Sequence, residues 1–190
     1  MSKLPSRLHH TAYVTKDMEK TRHFYEDILG LPLVATWCES DELFGKMRTY
    51  CHCFFGIGDG GALAFFQFAD KEDEELFVPD IPQTPFVHLA LNVDAEFQEG
   101  LEQRIKEHGI EANYVLEHGY CRSVYVVDPN GMTVEFTLDD PRAPDGEAQR
   151  RANAHAELKR WLGGDHTSNN TFREDAVTAA GGGTGGELAV

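Results

Sequence analysis

The same order of structural signals occurs twice in this chain of 190 residues. In each half a strand-like segment precedes a stretch with helical spacing, a glycine follows that stretch, and three more strand-like segments complete the unit. The first unit covers residues 7–68 and the second covers residues 86–138. Two units that each have one apolar sheet face can close on one another. We therefore predict an α+β fold in which two paired βαβββ modules form a cupped mixed sheet.

Helix-boundary signals occur at matching places in the two units. Asp17 and Asp94 stand where N-cap residues are expected, and Gly30 and Gly109 follow the helical stretches as C′ residues. The predicted helices are 18–29 and 95–108, and the predicted strands are 8–14, 33–38, 47–55, 62–68, 87–93, 113–116, 123–127 and 132–138.

Two segments lie outside the repeat. An acidic stretch with three prolines, residues 71–85, is predicted to be a stiff polar connection between the modules. The composition changes again after the second unit, in residues 139–190. Asp145 is predicted to cap a helix over 147–162, and the glycine-rich remainder is predicted to be a flexible tail.

The composition excludes several classes of partner. Acidic residues exceed basic ones by 32 − 17 = 15, and a net charge of −15 disfavours nucleic acid and anionic membranes as partners. No apolar run is long enough to cross a bilayer, and the first residues lack the apolar region of a signal peptide. Four scattered cysteines do not form a disulfide framework, so we expect a cytoplasmic protein.

Strand alternation selects three side chains that could bind a metal. In the segments 87–93 and 132–138 the apolar residues share one face, which places His88 and Glu135 on the opposite, concave face. His10 holds the position of His88 in the first unit. Two imidazoles and one carboxylate leave coordination positions open, as in non-haem Fe(II) sites. The alternative is that all three are solvated residues on an exposed sheet face.

Three runs of sequence resemble the vicinal oxygen chelate superfamily, which includes glyoxalases, fosfomycin-resistance enzymes, bleomycin-binding proteins and type I extradiol dioxygenases. The runs are LHHTAYV with FYEDILGLPL, FVHLAL, and YVVDPNGMTVEF. The resemblance covers about residues 7–138 and implies paired βαβββ modules around a divalent metal. It also implies that His10, His88 and Glu135 are the metal ligands.

The ligand pattern is similar to that of extradiol dioxygenases. Glyoxalases have a further glutamate ligand in the last strand of the first unit, where this chain has Phe65 near the expected place. The dioxygenase resemblance also implies catalytic roles for Tyr125, ten positions before the glutamate, and for His118. One departure is that no histidine occurs between His52 and His88, where larger extradiol enzymes have a second-sphere histidine.

The resemblance therefore implies an Fe(II) ring-cleaving dioxygenase of catechol-like substrates, in which His118 transfers a proton and Tyr125 hydrogen-bonds a bound oxygen. Phe65, Tyr50 and Trp37 could form the wall of the pocket. Two alternatives stay open: a glyoxalase-like lyase, isomerase or thiol transferase that uses Zn, Ni or Mn, and a non-catalytic resistance protein that binds a small molecule. In each case we expect a homo-oligomer.

Two further motifs are given structural interpretations. Residues 56–61 match GxGxxG, but a strand follows them where a dinucleotide site requires a helix, so we predict a hairpin turn. Cys51-His52-Cys53 has no second Cys/His pair at the spacing of a structural zinc site.

Overall fold

The computed structural model describes residues 4–82 and 84–173 and confirms an α+β fold of two βαβββ modules. Each module forms its own four-stranded mixed sheet, with the first strand parallel to the last and the other pairs antiparallel. The N-terminal module consists of β1 (Tyr13–Val14), α1 (Met18–Arg22) with a π-helical continuation (His23–Ile28), β2 (Leu33–Leu43), β3 (Lys46–Gly56) and β4 (Ala62–Phe68). The C-terminal module consists of β5 (His88–Asn92), α3 (Ala95–Glu107), β6 (Tyr114–Glu117), β7 (Cys121–Val127) and β8 (Thr133–Asp139).

The predicted helix boundaries are confirmed in both modules. The Asp17 carboxylate accepts a backbone N–H in the first turn of α1 at 3.0 Å, and the Asp94 carboxylate does the same in α3 at 2.8 Å. Gly30 and Gly109 have φ angles of +80° and +69°, in the left-handed region where a helix commonly ends. β2 and β3 are longer than predicted, because they continue to a turn at residues 44–45.

The two modules share a hydrophobic core and are joined by hydrogen bonds. The core cluster includes Tyr25, Phe55, Phe65, Val126, Val134 and Phe136. The buried Tyr25 hydroxyl donates to the Asp128 carboxylate at 3.0 Å. Arg104 on α3 donates from Nε to the Ile28 carbonyl oxygen at 2.9 Å. These contacts fix the π-helical segment of the N-terminal module against the C-terminal module.

One turn geometry is used twice. The turns 57–61 and 128–132 connect β3 to β4 and β7 to β8, and in each the first N–H donates to the last carbonyl at 2.9 Å. Gly60 and Gly131 hold equivalent positions, with φ angles of +80° and +84°. The predicted hairpin turn at the GxGxxG motif is therefore confirmed, and the duplication extends to the turns.

The connection between the modules contains a helix that the sequence analysis missed. α2 (Lys71–Phe77) begins after Asp70, whose carboxylate accepts the Glu72 N–H at 2.8 Å. Asp73 in this helix is buried and accepts from Arg48 Nε at 3.1 Å. The prediction of a stiff polar connection did not include this helix, which a cap and a buried ion pair stabilise over residues 71–77.

The C-terminal extension begins with the predicted helix, α4 (Glu147–Leu162). Its N-cap residue is Gly146, with no side-chain cap hydrogen bond, so the prediction that Asp145 caps it is wrong. Leu158 and Trp161, on the apolar side of α4, are more than half exposed. The predicted glycine-rich tail lies outside the described residues. No helix of the described part of the chain is long and apolar enough to span a bilayer.

Candidate metal site

His88 and Glu135 are neighbours on the concave face of the C-terminal sheet. β5 and β8 pair in parallel, with His88 opposite Thr133 and Ala90 opposite Glu135. The apolar residues of these strands, such as Val134, face the core, so alternation directs the two polar side chains to the other face. His88 Nε2 lies 2.8 Å from Glu135 Oε2, and the His88 side chain keeps 30% exposure. The pair is thus reachable from solvent.

The hydrogen bonds of His88 determine which of its ring nitrogens faces Glu135 with a lone pair. His88 Nδ1 lies 2.7 Å from the Pro85 carbonyl oxygen, which can only accept, so Nδ1 carries the proton. In a neutral imidazole Nε2 then has a lone pair that faces the carboxylate of Glu135. Two lone-pair atoms at 2.8 Å repel unless a cation lies between them, either a proton or a metal ion.

The donor set fits a divalent metal. Ligand atoms about 2.1 Å from a metal and at right angles to one another are about 3 Å apart, close to the separation of these two atoms. Histidines that bind metals commonly donate their other N–H to a backbone carbonyl, as His88 does to Pro85. His88 and Glu135 are therefore suited to hold two adjacent positions of a metal.

Tyr125 and His118 continue the polar network away from Glu135. The Tyr125 hydroxyl donates to Glu135 Oε1 at 2.7 Å, and His118 Nε2 lies 3.2 Å from the same hydroxyl. Because the hydroxyl hydrogen points to Glu135, His118 must donate to the hydroxyl oxygen. Burial and the bond to Glu135 raise the pKa of Tyr125 well above its usual value. The network is a chain of proton donors that runs from His118 to Glu135.

His10 lies on the sheet of the N-terminal module and is not brought to His88 and Glu135. It forms an isolated bridge with Ala62, beside β1. Its Nδ1 is 2.7 Å from His9 Nδ1, and its ring is 5.8 Å from that of His52. Within residues 4–82 and 84–173, no three His, Cys, Asp or Glu side chains are grouped closely enough to hold a metal ion.

The sheet register identifies the N-terminal counterpart of Glu135. His88 is paired with Thr133, two residues before Glu135, and His10 is paired with Ala62, two residues before Ala64. Ala64 therefore holds the equivalent position, and the assignment of Phe65 to it is wrong by one residue. Phe65 faces the opposite side of the sheet, fully buried, with its ring 4.9 Å from that of Tyr25. Neither residue can bind a metal.

The other two predicted wall residues lie on one face of the N-terminal sheet, because Trp37 is paired with His52 and Tyr50 is two residues before His52. Trp37 is 61% exposed, and Tyr50 donates its hydroxyl to Asp41 at 2.7 Å. Sequence reasoning missed two contributors to the network. The Pro85 carbonyl left no signal in the sequence, and Asn170 of the C-terminal extension donates to the His118 carbonyl oxygen at 2.9 Å.

Comparisons with known proteins agree with this architecture. The sequence profile of the Glyoxalase/Bleomycin resistance protein/Dioxygenase superfamily matches residues 7–136. A lactoylglutathione lyase of Neisseria meningitidis is 26% identical over 133 residues, which are 68% of this chain and 88% of that protein.

Two solved structures share the fold. A glyoxylase/bleomycin resistance protein/dioxygenase domain from a Frankia species matches with a TM-score of 0.55 and 14% identity, over 77% of this chain and 99% of that one. A variant of the fosfomycin resistance protein FosX from Listeria monocytogenes, complexed with Mn(II) and a dihydroxypropylphosphonic acid, matches with a TM-score of 0.50 and 22% identity. That match covers 78% of this chain and 99% of the FosX chain.

Proposed function

The chain belongs to the Glyoxalase/Bleomycin resistance protein/Dioxygenase superfamily, and within it we propose a divalent-metal enzyme whose substrate binds through two neighbouring oxygens. The observation that carries the proposal is the His88–Glu135 pair, because its two facing atoms lie 2.8 Å apart and can be bridged by a metal ion as well as by a proton. A structural relative, FosX, is described in complex with Mn(II) and a diol phosphonate. A non-catalytic binding protein would have no need of this donor pair or of the network behind it.

We propose His10 as the third ligand, supplied by a second copy of the chain. Each chain carries His10 on one sheet and His88 with Glu135 on the other. Two copies related by a two-fold axis can pair the N-terminal face of one with the C-terminal face of the other, which gives two equivalent sites. This accounts for the expected homo-oligomer, since a single chain offers incomplete sites.

A bound metal would lower the pKa of a coordinated hydroxyl group. The protein side chains then determine where the proton goes. The raised pKa of Tyr125 favours its protonated hydroxyl, which donates to Glu135 and accepts from His118. His118, at 3.2 Å from the Tyr125 hydroxyl, is positioned to exchange a proton with it. Glu135 itself is buried, whereas His88 beside it keeps 30% exposure, so solvent reaches the pair from the His88 side.

For the reaction itself we propose Fe(II)-dependent ring cleavage of a catechol-like substrate. With Ala64 at the N-terminal counterpart of Glu135, the ligand set is limited to two imidazoles and one carboxylate. This set leaves three positions of an octahedral ion for a substrate with two oxygens and for dioxygen.

The second candidate is a lyase or isomerase that uses Zn, Ni or Mn, or a related thiol transferase. It is favoured by the similarity to a lactoylglutathione lyase, which is stronger in sequence than either structural match. Such a reaction would need a proton to be moved beside the two neighbouring oxygens of the substrate, and the His118–Tyr125 network can provide it.

The reactions are distinguished by loading the metal-free protein anaerobically with Fe(II), Mn(II), Zn(II) or Ni(II). Oxygen uptake and a yellow product with catechols, in the Fe(II) protein alone, support the dioxygenase. Turnover of the hemithioacetal of methylglyoxal and glutathione without oxygen uptake would support the lyase and overturn the dioxygenase. If none of the four metals binds stoichiometrically, both the dioxygenase and the lyase proposals are overturned. His88→Ala removes a proposed ligand, and His155→Ala, an exposed histidine on α4, is the matched control.

The shared site is tested by mixing two variants. His10→Ala and His88→Ala should each be inactive, but a mixed dimer retains one site in which all ligands are intact. Equal mixing and re-equilibration should therefore restore about a quarter of the wild-type sites. If each site were built within one chain, the mixture would stay inactive.

A further inference from the structure

The C-terminal extension contacts the turn that carries His118. Asn170 donates its side-chain N–H to the His118 carbonyl oxygen at 2.9 Å, across 52 positions of the chain. On the other side of the turn, the His118 N–H donates to the Cys121 carbonyl oxygen at 2.9 Å. The backbone of His118 is thus held from both sides, and only one of these contacts belongs to the βαβββ module itself.

Gly119 allows the extension to approach the turn closely. It has a φ angle of +85°, and a Cβ atom placed there would lie 2.8 Å from the Phe172 carbonyl oxygen and 2.9 Å from Arg173 Cγ. Any larger residue would push residues 172–173 away. The close approach of residues 172–173 to the turn therefore depends on the glycine at position 119.

The segment 165–173, here called the C-terminal strap, is anchored on α4. Arg160 donates to the Thr167 hydroxyl at 2.8 Å and to its carbonyl oxygen at 2.9 Å, and Asn169 donates to Glu157 at 3.0 Å. The Phe172 ring is 5.4 Å from the Arg150 guanidinium. A cavity of about 730 Å³ lies between α4 and the strap, so a small number of discrete contacts hold the strap in place.

We propose that the C-terminal strap positions His118 for proton transfer, with Asn170 as the positioning residue. The inference rests on the proposed function, in which His118 serves the metal site through Tyr125. The strap and α4 follow residue 136, where the superfamily match ends. This chain therefore adds to the common fold an element that reaches the backbone of a proposed catalytic histidine. The contact fixes the turn from which the His118 ring extends to Tyr125.

The main test is Asn170→Ala in the full-length, metal-loaded protein. Because misplacement of a catalytic group lowers turnover more than substrate binding, kcat should fall about 10- to 100-fold with little change in KM. Metal stoichiometry should stay unchanged, since the strap does not contact His88 or Glu135. Asn169→Ala is the matched control, because the neighbouring amide bonds to Glu157 rather than to His118. An equal loss of kcat in both variants would overturn the assignment of Asn170.

A second measurement separates positioning from general loss of structure. If Asn170 acts through His118, Asn170→Ala should have no further effect on kcat in a His118→Ala background. Additive losses would overturn the proposal.

A third measurement does not depend on turnover. The ring resonances of His118 in NMR spectra should broaden or shift in Asn170→Ala and not in Asn169→Ala. Unchanged His118 resonances in Asn170→Ala would refute the proposal that the C-terminal strap positions His118, even if the proposed enzyme function is correct. If the His118 resonances shift in Asn170→Ala but the wild-type protein has no activity, the positioning role of the C-terminal strap is supported and only the proposed function is refuted.

Discussion

The two modules place different chemistry at the same positions of one fold. Phe54 is paired with Ala64 in the N-terminal sheet, just as Tyr125 is paired with Glu135 in the C-terminal sheet. The histidine position, in contrast, has the same residue in both modules, His10 and His88. The N-terminal face is aromatic and apolar around its histidine, whereas the C-terminal face carries a hydrogen-bonded carboxylate.

This difference assigns separate tasks to the two faces. On the N-terminal face, burial lowers the pKa of His52 to about 4, and nearby His10 adds to the effect, so the protonated form of His52 is disfavoured. On the C-terminal face the buried Glu135 accepts a hydrogen bond from Tyr125 and faces His88, so both of its carboxylate oxygens have polar partners. A duplicated fold can thus concentrate proton transfer in one module and use the other for one ligand and an apolar wall.

The largest expected effect is that of removing the carboxylate that distinguishes the two faces. Glu135→Ala should lower turnover by about 1,000-fold or more and abolish stable metal binding, because it removes a ligand and the acceptor for Tyr125. Activity assays and isothermal titration with Mn(II) measure the two losses. Glu117→Ala, on the edge strand β6 of the same sheet, should leave both unchanged. Retention of stoichiometric metal by Glu135→Ala would disprove the site.

The two equivalent turns, 57–61 and 128–132, should differ strongly in their contribution to the free energy of unfolding. Asp128→Ala leaves the buried Tyr25 hydroxyl and two backbone N–H groups without an acceptor, so it should reduce the free energy of unfolding by about 3 kcal/mol. Asp59→Ala, in the exposed counterpart turn, should cost about 0.5 kcal/mol or less. Urea denaturation measures both values, and similar losses would mean that the inter-module bond to Tyr25 contributes little.

A carboxyl group introduced at Ala64, the N-terminal counterpart of Glu135, tests why the two modules differ at this position. Ala64 is fully buried, so Ala64→Glu should lower the free energy of unfolding of the metal-free protein by about 2 kcal/mol or more. Burial raises the folded-state pKa of such a group, so the protein should be most stable below the unfolded-state pKa and lose stability as pH rises through the folded-state pKa. Ala64→Gln has the same size without that titration. Parallel pH profiles of the two variants would show that the face tolerates charge.

The smallest effect is expected from adding a hydroxyl at Phe54, the N-terminal counterpart of Tyr125. Phe54→Tyr places a hydroxyl on a partly exposed ring and should change the free energy of unfolding by less than about 0.5 kcal/mol, with no change in kcat. Tyr125→Phe removes the donor to Glu135 and should lower kcat by about 10-fold or more. Steady-state kinetics compare them, and equal responses would mean that the two positions are functionally alike.

Much of the fold follows from local sequence signals. The alternation in residues 87–93 and 132–138 correctly predicted the faces of His88 and Glu135, because a strand side chain has only two directions. The caps at Asp17 and Asp94 and the glycines after the helices fixed the helix ends. These features depend on neighbours within a few residues, so one sequence is sufficient to predict them.

The features that were missed depend on distant contacts. α2 is stabilised by Arg48, some 25 positions away, and its acidic composition alone favoured a loop. The counterpart of Glu135 became clear only from the pairing of His10 with Ala62. The separation of His10 from His88 follows from how the modules pack, for which local patterns carry no signal. Asn170 lies in an extension outside the repeat, and its bond to His118 is likewise long-range.

The order of strands in each sheet has a consequence for folding. β2, β3 and β4 are joined by short turns, as are β6, β7 and β8, so these hairpins close small loops. β1 and β5 instead pair with strands about 45 to 50 residues away, and such contacts form late because loop closure must come first. His10 and His88 lie at these two late-joining strands. The positions of the proposed ligands are therefore completed at the end of folding, and a local opening that frees β5 would release a bound metal while the hairpins stay intact.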